Sequence, residues 1–201
     1  MKKLILLIST LSMMLAPLGV LAQKFTNVAL GNAALLVVNP KVVYTSGYTK
    51  ITYPNGDVDP LKGVCTDVII RAYRKLGVDL QQLVHEDMSA NFDLYPSKRI
   101  WGLKGTDKNI DHRRVPNLEV FFTRNGKKLP VSQKASDYKA GDIVTWKLGG
   151  KIDHIGMVAN KKSPDGKRLM IVHNVGGGQL LEDCLFLYQL NGHYSYLKIN
   201  P

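Results

Sequence analysis

The chain has 201 residues, 45% of them hydrophobic, and carries 27 Lys and Arg against 16 Asp and Glu, a net charge of +11. That length suits one domain with a real core. Beyond the N-terminal segment no run is long and apolar enough to span a bilayer as a helix.

The N-terminus opens with Lys2 and Lys3, followed by a mostly apolar, uncharged run from Leu4 to Val20. Val20-Leu21-Ala22 then offers small or apolar residues at the positions a signal peptidase reads. These features predict a secretory signal peptide over residues 1–22, with residues 23–201 as a single domain, periplasmic or secreted. The alternative is an uncleaved anchor. In an exported protein, basic clusters such as Arg113/Arg114 and Lys161/Lys162 point to anionic cell-wall polymers or headgroups and not to nucleic acid. A solvated face that favours solubility is the plainer alternative. No stable membrane insertion is expected, and the domain is expected to be a monomer.

In chain order, Thr26 to Val38 reads as a first helix ending before Pro40, and Asn39 to Val64 is turn-rich. From Cys65, residues Val68, Ile69, Ala72, Tyr73 and Leu76 recur at helical spacing, and Gly77 stands where a helix end favours a left-handed residue. Asp79 caps a helix through Met88, Asn91 to Val115 is irregular, and Pro116 opens a short helix ending near Gly126. After Pro130 come strand-like runs at 142–146, 154–158, 169–172, 185–190 and 193–199. Gly149-Gly150, Pro164-Asp165-Gly166, Gly176-Gly177-Gly178 and Asn191-Gly192 are the expected turns between them. Helices followed by antiparallel strands make an α+β plan.

Cys65 is the sharpest candidate for chemistry, because it opens an amphipathic helix. The unpaired N–H groups of a helix start favour an anion, so a thiol there is expected to lose its proton more readily, and the same groups can hold an oxyanion. The other cysteine, Cys184, leaves a Cys65–Cys184 bridge open as an alternative. His154 and His173 lie on successive predicted strands. If Lys162 faces Lys167 across the intervening turn, the two histidines are diagonal neighbours on one face. One imidazole could then take the thiol proton while the second polar group fixes the first ring. Either histidine, taken singly, could be structural.

The order Gly63-Val64-Cys65-Thr66-Asp67, Ala140-Gly141-Asp142-Ile143-Val144, His154-Ile155-Gly156-Met157-Val158 and Val172-His173-Asn174 resembles the NlpC-type branch of papain-like cell-wall peptidases. From Tyr44 onward the strings YPNGDVDP, GVCTDVIIRAYRKLG, NIDHRRVPNL, HIGMV and VHNVGGG are similar to the bacterial family catalogued as domain of unknown function 1287. The resemblance implies a papain-like α+β fold, N-terminal helices on a small antiparallel sheet, with Cys65 as nucleophile, His154 as base and His173 as orienter. It implies a cysteine hydrolase acting on a peptide or peptidoglycan amide without metal or cofactor. Tyr53 is similar to the tyrosine that NlpC-type enzymes set beside their thiol. Cys184 lies outside the peptidase pattern and becomes a buried free thiol, since a nucleophile must stay reduced. Arg113 and Arg114 could grip a substrate carboxylate or could form structural ion pairs. Asn174 is a further candidate for the substrate side and could stand in for its neighbour His173. A non-catalytic wall-binding module and an acyl or peptidyl transferase remain as alternatives.

Overall fold

The computed structural model describes residues 26–197, and the expected signal peptide lies outside them. Among the described residues no helix is long and apolar enough to cross a membrane.

Helix α1 (Asn27–Leu35) starts where the Thr26 hydroxyl accepts the Ala29 N–H at 3.1 Å. It ends three residues short of Val38. Two short strands, β1 (Val43–Tyr44) and β2 (Lys62–Gly63), pair in parallel, with Tyr44 opposite Gly63. Helix α2 (Cys65–Arg74) follows at once, its start held by Asp67, whose carboxylate accepts the Val64 N–H at 2.6 Å. Asp79 caps α3 (Leu80–Ala90) through the Gln81 N–H. The segment expected to be irregular holds 3-10 turns at Phe92–Leu94 and Asp111–Arg113 and a short helix, α4 (Ser97–Trp101). Pro116 sits in the first turn of α5 (Val115–Asn125), as its missing N–H allows.

The strands β3 (Lys127–Leu129), β4 (Ile143–Leu148), β5 (Ile152–Lys162), β6 (Leu169–His173), β7 (Leu180–Glu182) and β8 (Gln189–Ser195) form one antiparallel sheet in the order β3-β8-β4-β5-β6-β7. The fold is α+β. On one face, Leu30 and Ala34 of α1 and Val68, Ile69, Ala72 and Tyr73 of α2 pack with Ile143, Ile155, Met157 and Val172. Burial of each such aliphatic side chain contributes about 1.5–3 kcal/mol. On the other face, Val144, Trp146, Val158 and Ile171 form a smaller cluster with Tyr138, Cys184 and Leu185. Alternation along the strands assigns each residue to its face.

The C-terminal strands depart from expectation. Of residues 185–190 only Gln189 and Leu190 are strand, as the start of β8; Trp146 donates its indole N–H to the Leu185 carbonyl at 3.0 Å, which makes residues 185–188 a lid over the smaller cluster. Asn191-Gly192 is no hairpin turn but lies inside β8, where the register against β4 shifts between Thr145 and Trp146. Gly192 is needed there, because a Cβ would come within 2.7 Å of the Thr145 hydroxyl and closer still to Tyr194. The β5–β6 hairpin also differs: Lys162 faces Leu169, and the extra residues are absorbed in a shift between Val158 and Lys162. Nearer the histidines the register is the expected one, with Gly156 opposite His173.

Candidate active site

Cys65 is the first residue of α2 and is 4% exposed. Its sulfur is set against the backbone N–H of Ile155, the Tyr44 hydroxyl and the backbone N–H of Thr66, each of which favours the thiolate. Burial nevertheless dominates, and pushes the thiol up to about 11. The expected easily ionised thiol is therefore corrected: here the helix-start N–H groups offset only part of the desolvation.

Ile155 is the residue after His154 on β5, so the thiol lies against the backbone of the strand that carries the candidate base. The His154 ring leaves that strand toward the opposite face, where it packs 5.6 Å from Trp146, its register partner. His154 Nε2 is 2.9 Å from His173 Nδ1. The diagonal placement follows from Gly156, opposite His173: a Cβ there would meet Ile171 Cγ2 at 2.7 Å and the Trp146 ring at 3.1 Å. Among the described residues no hydrogen bond joins His154 to Cys65: the thiol packs with Ile155 on the helix side of β5 and the ring with Trp146 on the other, so the expected thiol–imidazole contact is not formed in this structure. Burial, with His173 beside it, pulls the His154 imidazole down to about 3, and burial lowers His173 too, against the pull of Glu182. The thiol and both rings are neutral at rest.

His173 Nε2 lies 2.6 Å from a Glu182 carboxylate oxygen and 3.4 Å from the Cys184 sulfur. Neither neighbour is a site residue by sequence pattern: no strand is expected over residues 180–182, and Cys184 lies outside the peptidase pattern. Both cysteines are free and buried.

A cleft of about 340 Å³ opens at Cys65, walled by Tyr44, Trp101, Arg114, Pro116 and Asp153. Arg114 stacks on Trp101, 4.2 Å from its ring centre, and reaches Asp111 at 3.4 Å. The candidate grip thus keeps a place on the wall. Arg113 also borders the cleft, but it is spent inside the fold: its guanidinium takes both Asp67 oxygens, at 2.9 and 3.0 Å, with both side chains under 5% exposed. Its expected role as a substrate grip is corrected to a structural one, because Asp67 needs a buried counter-charge.

Tyr53 does not reach the thiol. Gln81 of α3 accepts the Gly56 N–H at 2.7 Å and donates to the Thr52 carbonyl at 2.9 Å, which fastens the whole turn to α3. Tyr53 there meets His85 edge-on at 5.1 Å. The tyrosine beside the thiol is Tyr44, brought in by the Tyr44–Gly63 pairing two residues ahead of Cys65. The β-branched run before Tyr44 was the available signal, but parallel pairing across a long loop is invisible to local pattern. Asn174 is fully buried; its side-chain oxygen accepts the Gly176 N–H at 3.0 Å, which makes it a turn former, and its Nδ2 has no partner among the described residues. Asp142 accepts from the Lys139 N–H at 2.8 Å and faces His193 Nε2 at 2.8 Å, a second carboxylate–histidine contact after Glu182–His173.

Comparison with known proteins agrees with the resemblance at the level of family. A model described as "Domain of unknown function (DUF1287)" matches residues 31–196. The "Uncharacterized protein YijF" of Escherichia coli (strain K12) is 49% identical over 180 residues, covering 90% of this chain and 86% of that protein. No solved structure matches. The chain therefore belongs to the family of proteins built on the DUF1287 domain.

Proposed function

We propose that this protein is an exported cysteine hydrolase of papain-like, NlpC-type architecture that cleaves an amide bond, with peptidoglycan stem peptides as its substrate class. The reading rests above all on one observation: a helix-start thiol set against the backbone N–H of Ile155, the residue that follows a histidine whose Nε2 lies 2.9 Å from a second histidine. In this mechanism Cys65 attacks the amide carbonyl as His154 removes its proton, so no stable ion pair is required beforehand. The N–H groups at the start of α2 and the Tyr44 hydroxyl stabilise the oxyanion, and His154 returns the proton to the leaving amine. Export, inferred from residues 1–22, and the basic surface fit an anionic wall substrate. An acyl or peptidyl transferase would use the same centre, with an amine in place of water.

A non-catalytic wall-binding module is the second reading, and the high thiol and low imidazole proton affinities favour it. Digestion of purified sacculi, followed by mass analysis of released fragments, separates the three. A hydrolase yields new termini that disappear in Cys65→Ala, a transferase yields new cross-links, and a binding module yields neither with the thiol shown to be reduced.

A further inference from the structure

Three adjacent strands step a polar chain across one face of the sheet. Gly156 faces His173, and Ile171 faces Glu182, so His154, His173 and Glu182 are successive diagonal neighbours on β5, β6 and β7. Their contacts are 2.9 Å and then 2.6 Å. A chain of two neutral imidazoles can carry its protons in either of two senses, and which one it carries decides whether His154 keeps a lone pair on Nδ1. A carboxylate offers only lone pairs, whereas a thiol can donate. Both stand at the far nitrogen of His173, Glu182 at 2.6 Å and Cys184 at 3.4 Å.

We propose that Glu182 is a positioning residue that sets the sense of this proton chain. Its carboxylate holds the His173 proton on Nε2, so His173 Nδ1 accepts from His154 Nε2–H, and His154 Nδ1 keeps its lone pair for the Cys65 thiol. With the opposite sense, Cys184 S–H donates to His173 Nε2, His173 donates from Nδ1, and His154 must carry its proton on Nδ1. That ring has no free pair for the thiol. In the working sense, the S–H bond of Cys65 breaks, its proton goes to His154 Nδ1, and the sulfur pair forms the bond to the carbonyl carbon. The new positive charge lies on a ring whose neighbour already donates to a carboxylate. The groups facing this chain are Trp146, Tyr188 and Cys184, none of which carries a charge at rest. Glu182 is 43% exposed in its side chain, so it can be replaced without opening the core.

This inference rests on the Cys65–His154 reading for its purpose, but its proton pattern can be read without any turnover. Heteronuclear NMR of the nitrogen-labelled full chain near neutral pH reports which ring nitrogen of His154 and His173 bears the proton. The expected result is Nε2–H on both. Glu182→Gln, which keeps an acceptor oxygen, should preserve it. Glu182→Ala should move both rings toward Nδ1–H, and Glu182→Ala with Cys184→Ala should reverse part of that move. Cys65-dependent cleavage should fall about 10- to 100-fold in kcat for Glu182→Ala, with KM little changed, and recover in Glu182→Gln. Nδ1–H on His154 of the unaltered protein, or rings indifferent to Glu182→Ala, overturns the proposal. The expected proton pattern without any cleavage by the unaltered protein upholds the pattern and instead sinks the hydrolase reading.

Discussion

On the helix side of the sheet, Ile143, Ile155, Met157 and Val172 meet α1 and α2 in a layer that is almost wholly apolar. On the opposite side, Val158 and Ile171 share their layer with His154 and His173, while a lid from residues 185–188 takes the place of a helix. The first layer is large and needs only to exclude water. The second is smaller and buries rings that carry no charge, each with a polar neighbour. The Cys65 thiol belongs to the first layer by packing, set against the β5 backbone beside His154. The difference teaches that apolar packing and the buried polar rings are kept on opposite faces of one sheet, with β5 the strand that touches both.

The sharpest way to break this comparison is to remove the reacting groups. Cys65→Ala and His154→Ala should each lower turnover by about 10,000-fold or more, with the double variant hardly worse than either alone. Melting temperatures should stay near that of the parent. An additive double variant would show that the two do not act as one unit.

The next largest effect should fall on stability. Arg113→Ala leaves Asp67 buried and unpaired at the head of α2, at a cost of about 3–5 kcal/mol. Calorimetry should show the melting temperature lower by about 10 °C. An unchanged melting temperature with weakened substrate binding would return Arg113 to the cleft and erase the division of labour.

Arg114→Ala should be milder, because this side chain lies on the cleft wall against Trp101. KM for a peptide with a free carboxylate should rise about tenfold, the loss of roughly one charge-assisted bond. The melting temperature should move by less than about 2 °C. Steady-state kinetics with amidated and free peptides would show whether the carboxylate is what Arg114 holds.

The smallest effect expected is that of pH on rate. With His154 pulled down to about 3 and Cys65 pushed up to about 11, neither group changes charge between them, so kcat/KM should be nearly flat around neutrality. A bell-shaped profile about neutrality would instead reveal a thiolate–imidazolium pair. An acid limb should still appear, and its cause should be unfolding. His154 and His112, both held neutral by burial down to about 3, take up protons on unfolding once the pH drops below about 6.5, so stability is lost as pH falls through that window. Asp111, raised to about 6 by burial, works against them between about 4 and 6, since its protonated form is the folded one. Thermal melts across pH should therefore track the acid limb of the rate.

Local signals carried much of this. Caps at Asp79, Pro116 in a first turn and the helical spacing after Cys65 located three helices, and strand alternation put His154 and His173 on one face. What was illegible depends on distant partners. Nothing near Arg113 announces that Asp67, 46 residues earlier, needs its charge. Tyr44 and Tyr53 are equally good tyrosines by local pattern, and only the Gly63 pairing and the Gln81 clamp decide between them. Asn191-Gly192 has the composition of a hairpin turn, yet tertiary pairing with β4 turns it into a bulge. Glu182 sits on a strand of three residues, too short for periodicity to register.

The Asp67–Arg113 clamp has a consequence for how this family could diversify. Asp67 grips the head of the helix that bears the thiol, and Arg113 is anchored beside it, with the Thr66 hydroxyl on the Arg113 carbonyl at 3.1 Å. Asn117 then ties Ser97 and the Asp111 carbonyl together, so the stretch between 97 and 111 is pinned at both ends. Trp101, which walls the cleft, hangs between those pins. Substitutions in that span can therefore reshape the cleft wall while the head of α2, and Cys65 with it, stays clamped.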